Sequence, residues 1–305
     1  MRPRKARLMP DRILIATATD GGFSIVAGIT TDLVADMQRR HELAPTASAA
    51  VGRLLSGAAL LGASLKGREK LTLQIAGDGP IRGIVADVAL NAHDRIGARA
   101  YARRTDVDLP LNANGKFDVG GAVGKGYLQV TRSFEVGQPY VGITDLASGE
   151  IGDDIALYLA TSEQIPSVVA LGVLADPSGI RAAGGIIAQL LPGADESTIA
   201  ALESHAAAMP AVTSQIDAGA SVEDLIAALA GEVAMRRTRE YVLEFTCTCS
   251  LDRVERALMG LGRDELAKML TEQQQTEAVC EFCKTAYILG HDDVRGLIDQ
   301  LEARS

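Results

Sequence analysis

The 305-residue sequence contains no tryptophan and only five phenylalanines and six tyrosines. Its core must therefore be built from Val, Ile, Leu and Ala, within an apolar share of 47%. Few aromatics also means few platforms on which nucleic-acid bases could stack. Positive charge is in short supply: 30 Lys and Arg stand against 39 Asp and Glu, for a net charge of -9 and a pI near 5.1. That balance argues against a nucleic-acid footprint, which needs a basic face. One candidate basic patch, Met1-Arg2-Pro3-Arg4-Lys5-Ala6-Arg7, reads as a frayed, solvated terminus. Long hydrophobic runs are missing too. The stretch from Ala47 to Leu65 carries Arg53 and three glycines, and that from Pro166 to Leu191 is cut by Asp176-Pro177 and Arg181. Neither offers the roughly 20 clean apolar residues of a membrane span. Pro10-Asp11-Arg12 interrupts the start before a secretory core can form. These absences predict a soluble cytosolic protein. Cysteine is scarce as well, with four in the chain, and all four lie in its last quarter.

The first 192 residues read as a mixed sheet-and-helix body. Ile13 to Thr19 and Phe23 to Ala27 are β-rich and separated by Asp20-Gly21-Gly22, a hairpin signal. A helix follows to His41, and Pro45 opens a longer one to about Lys66. Gly52, Gly57 and Gly62 weaken that helix by about 1 kcal/mol each relative to Ala, unless close packing on a sheet requires them. Lys70 to Ile75, Ile81 to Val88, Gly97 to Arg103, Gly126 to Arg132 and Pro139 to Ile143 read as strands. A helix spans Ile151 to Thr161, and Val168 to Leu174 with Ile180 to Leu191 forms a last hairpin. Residues 105–124 read as loop. Hairpin-sized strand pairs with inserted helices predict an α+β fold over a doubly wound one. Catalytic signatures are weak. Gly121 to Gly126 resembles a phosphate loop but has Val119 and Gly126 where the pattern needs Gly and Ser or Thr. His41 and His93 stand far apart and read as helix-end or surface residues. The chain is expected not to be an enzyme.

From Gly193 to Glu240 alanine dominates, and acidic residues outnumber basic ones eight to three. Asp195-Glu196-Ser197 can open one helix, Pro210 breaks it, and Ser221 can cap a second with Val222, Leu225, Ile226 and Leu229 on its apolar side. Small side chains leave each helix little area to bury, at about 25 cal/mol per Å². Two readings stand: an ordinary helical connector, which is the simpler, or a metastable linker that stays folded only while both neighbours hold it.

The module from 241 to 305 carries Cys247-Thr248-Cys249 and Cys280-Glu281-Phe282-Cys283. Tyr241 to Thr246 can be a strand delivering Cys247. Helices are expected after Ser250, with Val254, Leu258 and Leu261 inward, then after Asp264, and finally from about Asp292. So small a unit often needs a metal or a staple. Four thiolates in two close pairs suit tetrahedral Zn²⁺, so Cys247, Cys249, Cys280 and Cys283 are the candidate ligands of one zinc ion. A structural zinc ribbon is the rival reading. A zinc deaminase would need an H-x-E motif and a proline where Val279 stands, and a thioredoxin-like site would need a neighbouring βαβ unit. Oxidation is the distinctive possibility. Disulfides within each pair would close tiny loops and add little stability, while the metal they displace can contribute ~10–16 kcal/mol. Such a cluster can act as an oxidant-triggered release.

Along nearly its whole length the chain resembles the redox-regulated holdase chaperones of the heat-shock class, the HslO family. The C-terminal likeness rests on Phe245-Thr246-Cys247-Thr248-Cys249-Ser250, Ala257-Leu258 and Cys280-Glu281-Phe282-Cys283 with Tyr287. The N-terminal likeness rests on Leu65-Lys66-Gly67, Leu71 to Gln74, Gly77-Asp78-Gly79-Pro80, Ser162-Glu163-Gln164 with Pro166, Ala183-Gly184-Gly185 and Gln189 to Pro192. The resemblance implies an α+β body over 1–192, a helical metastable linker over 193–240 and a small zinc-binding redox switch over 241–305. It further implies a reduced, zinc-bound form inactive as a chaperone. Oxidant with mild unfolding stress then forms Cys247–Cys249 and Cys280–Cys283 disulfides with loss of zinc. Module and linker lose structure, and apolar surface holds unfolding client proteins without ATP. Dimerisation of the oxidised form is also implied, with no membrane or nucleic-acid partner.

Overall fold

Ile13 and Leu14 are adjacent in sequence, 0% and 2% exposed, and belong to two different cores. Their strand is covered on both faces, which is why it reads as an unbroken apolar run. The computed structural model of the protein describes residues 10–303 apart from 93, 273 and 274. The basic start and His93 lie outside the described residues. Two compact units divide the chain, Met1–Thr246 and Cys247–Ser305.

In chain order the larger unit contains β1 (Arg12–Ala18), β2 (Phe23–Ile29), α1 (Thr31–His41), α2 (Pro45–Gly62), β3 (Lys70–Gly77), β4 (Gly83–Ala92), β5 (Arg95–Ala102) and α3 (Val119–Val123). Then come β6 (Gly126–Ser133), β7 (Tyr140–Asp145), α4 (Gly152–Thr161), β8 (Ser167–Asp176), β9 (Gly179–Leu190), α5 (Glu196–Ala208), α6 (Val212–Asp217), α7 (Val222–Ala230) and β10 (Met235–Phe245). One ten-stranded sheet runs β7-β6-β3-β4-β5-β10-β1-β2-β9-β8. The α+β class predicted from hairpin-sized pairs is the class observed: every ladder is antiparallel except β10 on β5.

α2 is buried along nearly its whole length and packs against strands of both halves of the sheet, while α4 packs on both edge strands, β7 and β8. The sheet therefore wraps around α2, and α4 bridges its ends. The glycines of α2 are required by this. A Cβ on Gly52 would lie 2.6 Å from Val34 of α1 and 2.7 Å from Val173 of β8, and one on Gly62 would lie 2.4 Å from Val88 of β4. Their helix-weakening cost is offset by the approach of the sheet.

The outer face of β1, β2, β9 and β8 is covered by α5, α6 and α7, whose Leu202, Val212, Ile216, Val222, Leu225 and Leu229 form the second core with Leu14, Ile25, Ala27 and Ile186. The helical stretch of 193–240 thus lies within the larger unit. It contains one helix more than the sequence suggests: α6, too short to show a period. Tyr241 to Thr246, expected to open the cysteine module, instead belongs to the larger unit, and Tyr241–Phe245 forms the end of β10. Arg236, Arg237 and Arg239 hide this strand from a hydrophobicity reading. It joins the sheet through its backbone, and Arg12 of β1 binds both Glu240 (2.7 Å) and Glu223 of α7 (2.5 Å). Other corrections are local. Residues 105–124 contain the short α3, and His41 ends α1 as expected but is 4% exposed and not a surface residue.

The smaller unit holds α8 (Leu251–Met259), α9 (Arg263–Glu272), the β11 (Thr276–Val279) and β12 (Ala286–Leu289) hairpin, and α10 (His291–Glu302). Its core contains Leu258, Leu266, Leu289, Val294 and Leu297. Leu261, expected inward, is 52% exposed because α8 ends at Met259, which leaves Leu261 beyond the helix in the turn that Gly262 (φ +87°) completes. Among the described residues no helix is long and apolar enough to cross a membrane.

Candidate metal centre

Two backbone devices bring the cysteines together. Cys247 and Cys249 flank Thr248 in an extended segment that ends where Ser250 Oγ accepts from Arg253 N and caps α8. Arg253 Nη1 also donates to Thr248 Oγ1 at 2.8 Å, which fixes the residue between the two sulfurs. Cys280 and Cys283 lie in the turn of the β11–β12 hairpin. Cys280 N donates to Thr285 O at 2.9 Å and Lys284 N to Cys280 O at 2.8 Å, with Lys284 at φ +58°. The helices between the pairs match the sequence reading. The hairpin does not appear in that reading, because four-residue strands carry too little alternation to register.

The Sγ atoms of Cys247, Cys249, Cys280 and Cys283 all lie within 4.8 Å of one another. Cys247 Sγ is 3.7 Å from Cys280 Sγ, and Cys249 Sγ is 3.3 Å from Cys283 Sγ. Four sulfurs at about 2.3 Å from one tetrahedral ion would stand about 3.8 Å apart, so the donor set fits one tetrahedral metal ion. None of the four is in a disulfide. Among the described residues this is the one group of three or more His, Cys, Asp or Glu ligand atoms so gathered. The glycine-rich stretch at Gly121 to Gly126 gathers none. It forms the end of α3 and the start of β6, and its Gly124 and Gly126 pack against the backbone of residues 76–79.

The surroundings differentiate the sulfurs. Burial opposes ionisation of Cys283, but hydrogen bonding to Thr285, whose Oγ1 lies 3.2 Å away, together with that to the Cys249 and Cys280 sulfurs, outweighs it and brings the thiol down to about 6. Burial and the neighbouring thiols push Cys249 up to about 12 against the Tyr287 hydroxyl, which donates to its sulfur at 3.1 Å. Tyr287 is itself pushed up to about 12, first by that bond to Cys249. It therefore remains a donor. Thr285 and Tyr287 are neighbours of the ligands that spacing alone does not reveal as their partners. Their position just past the second pair, Thr285 immediately before β12 and Tyr287 on it, is the signal that could have found them.

Residues 11–290 match the family model described as Hsp33 protein. The chain is 41% identical over 301 residues to the 33 kDa chaperonin of Acaryochloris marina, covering 97% of this chain and 99% of that protein. It is 41% identical over 298 residues to the 33 kDa chaperonin of Acetivibrio thermocellus, again covering 97% and 99%. The crystal structure of the 33 kDa chaperonin of Thermotoga maritima, a heat shock protein 33 homologue, superposes with a TM-score of 0.89 at 32% identity, covering 97% of this chain and all of that one. A family match over nearly the full length, with relatives named as chaperones, agrees with the likeness read from the cysteine motif: the chain belongs to the Hsp33 family of chaperones.

Proposed function

We propose that this chaperone is a redox-switched, ATP-independent holdase and not an enzyme. In the reduced state Cys247, Cys249, Cys280 and Cys283 hold one Zn²⁺. The observation that carries the reading is the four-sulfur cluster in a small unit whose core, among the described residues, has five buried apolar side chains. Bound zinc would cross-link the two cysteine segments and contribute ~10–16 kcal/mol to a unit with little else. Two equivalents of a peroxide would take two electrons from each cysteine pair. The two thiolates of each pair would join in one disulfide, the peroxide O–O bond would break, and its two oxygens would take up two protons from solvent and leave as water, with the zinc ion set free. Sulfurs in disulfides no longer bind a metal.

The pairing we propose is Cys247–Cys249 and Cys280–Cys283. All four sulfurs are close in the folded unit, so chain proximity decides: as the unit loosens, one and two intervening residues keep each pair together while 30 separate the pairs. Such small loops add little stability, so the module unfolds. The stretch over 193–240 then follows as the metastable linker, which uncovers the apolar outer face of β1, β2 and β9 to unfolding clients. Dimerisation of the oxidised form and a reducing cytoplasmic setting belong to the same reading, since thiols persist there.

The test is client aggregation at heat-shock temperature with reduced, zinc-loaded protein against peroxide-treated protein. Protection by the oxidised form alone is expected, together with loss of one zinc and four thiols. Equal protection by both forms would sink the switch. Peptide mapping that finds a Cys247–Cys280 disulfide would overturn the pairing.

A further inference from the structure

The larger unit contains a cavity of about 340 Å³ between the two halves of the curved sheet, beside the C-terminal ends of α2 and α4. Protein interiors pack almost without voids larger than a water, so its lining is informative. One wall is a cross-strand row, Ile15–Val26–Ile187, set by the β1–β2–β9 register. These three belong to the inner face, yet Ile15 and Val26 are only half-buried, because the cavity stands where their neighbours would be. The next row toward β2's start is polar, Ser24 paired with Gln189. On the facing wall Arg132 of β6 pairs with Leu71 of β3.

Two charges line this space without neutralising each other. Arg132 forms no ion pair among the described residues, and its one hydrogen bond runs from Nη2 to Ser64 Oγ at 3.4 Å. Glu163 follows α4 and forms no ion pair either. Its Oε1 accepts from the Tyr158 hydroxyl at 2.7 Å, which leaves its second oxygen open. Tyr158, 1% exposed, lies within electrostatic reach of both, and burial with the Glu163 bond pushes its phenol up, so it stays a donor. Gln164, held at φ +58°, turns the chain after Glu163 and sets Ile165 in the same lining. Backbone strain of this kind at a non-glycine residue costs of order 1–3 kcal/mol and gathers at ligand sites.

We propose that this cavity binds a free apolar α-amino acid, its carboxylate on Arg132, its ammonium on Glu163 and its side chain against the Ile15–Val26–Ile187 row. The volume sits at the small end of the ~300–1,000 Å³ range of ligand pockets, which suits a molecule of amino-acid size. A fatty carboxylate would satisfy Arg132 but place a second anion near Glu163. An amine would satisfy Glu163 and leave Arg132 unmatched. A zwitterion with an apolar body answers both charges and the wall.

The experiment is isothermal titration calorimetry on the reduced full chain with leucine, phenylalanine, leucinamide, octanoate and glycine. Saturable binding of leucine or phenylalanine is expected, at least about tenfold tighter than leucinamide, octanoate or glycine. Each probe lacks one of the three elements, and a charge-assisted contact is worth that much. Glu163→Gln and Arg132→Met should each weaken leucine about tenfold or more, and Val26→Phe, which fills the cavity, should abolish binding while circular dichroism stays unchanged. Should Arg132→Met fail to fold, the near-isosteric Glu163→Gln decides. No saturable heat with leucine or phenylalanine up to about 10 mM, octanoate binding as tightly as leucine, or unchanged affinity in Glu163→Gln overturns the proposal. None of these outcomes touches the cysteine switch, whose failure would be read in aggregation and zinc release.

Discussion

Tyr287 is the residue on which the tuning of the sulfur cluster turns. Its hydroxyl donates to Cys249 Sγ at 3.1 Å and draws electron density from the least acidic of the cysteines whose shifts are described. Partners in this position typically alter metal affinity 10–100-fold. Tyr287→Phe should therefore lower zinc affinity about tenfold and speed peroxide-driven zinc release, followed with a chromophoric chelator; unchanged release kinetics would remove Tyr287 from the switch. At the same scale, Gly62→Ala should destabilise the larger unit by about 1–3 kcal/mol through overpacking, since the new Cβ meets Val88 at 2.4 Å. Ordinary helix propensity predicts the opposite sign, a gain of about 1 kcal/mol, so a single denaturation curve separates the two.

Among the elements, α5 and α7 differ more than their shared alanine-rich composition suggests. α5 buries Leu202 alone, whereas α7 buries Val222, Leu225, Ile226, Leu229 and Ala230 and is tied to β1 and β10 through Glu223, which binds Arg12 and Arg237. Amide hydrogen exchange is expected to open α5 well before α7; equal protection would mean that the stretch opens as one unit. Both helices are capped by acid groups. Asp195 accepts from Thr198 N and Asp224 from Ser221 N, each at 2.8 Å, and these bonds hold both carboxyls below the ordinary 3.8. A carboxylate depressed by folding stabilises the fold at every pH above its unfolded value, and that contribution is lost as pH falls through the folded value. Exchange from 222–230 should therefore quicken relative to the sheet below about pH 4. Asp224→Asn, with no charge to lose, should blunt that change, and an identical pH response in this variant would assign it elsewhere.

For the whole molecule, stability is divided unevenly between the two units. The larger has a continuous core around α2 and a second one under α5 to α7, whereas the smaller has, among the described residues, five buried apolar side chains and the sulfur cluster. Chelation of the reduced protein, or Cys247→Ser, is expected to unfold the smaller unit while the ten-stranded sheet survives. Calorimetry would then show loss of one transition with retention of the other. A single cooperative transition, unchanged by chelator, would show that the metal contributes nothing to folding.

Much of this was legible in the chain itself. The period-two runs and their hairpin turns give most of the strands, the Pro45 start and apolar run give α2, and two cysteine pairs 30 residues apart point to the sulfur cluster that the fold gathers. These are local signals, carried by side-chain period, capping and ligand chemistry within a few residues. The role of β10 was not legible. Met235–Phe245 carries three exposed arginines, and only pairing with β1 on one side and β5 on the other makes it the strand that joins the two halves of the sheet. Arg132 and Glu163 illustrate the same limit. Thirty-one positions separate them in sequence, and only the curvature of the sheet around α2 places both in one cavity. Periodicity fixes what an element is and which face it buries; which distant element meets that face is decided by backbone pairing and packing, which leave no local trace.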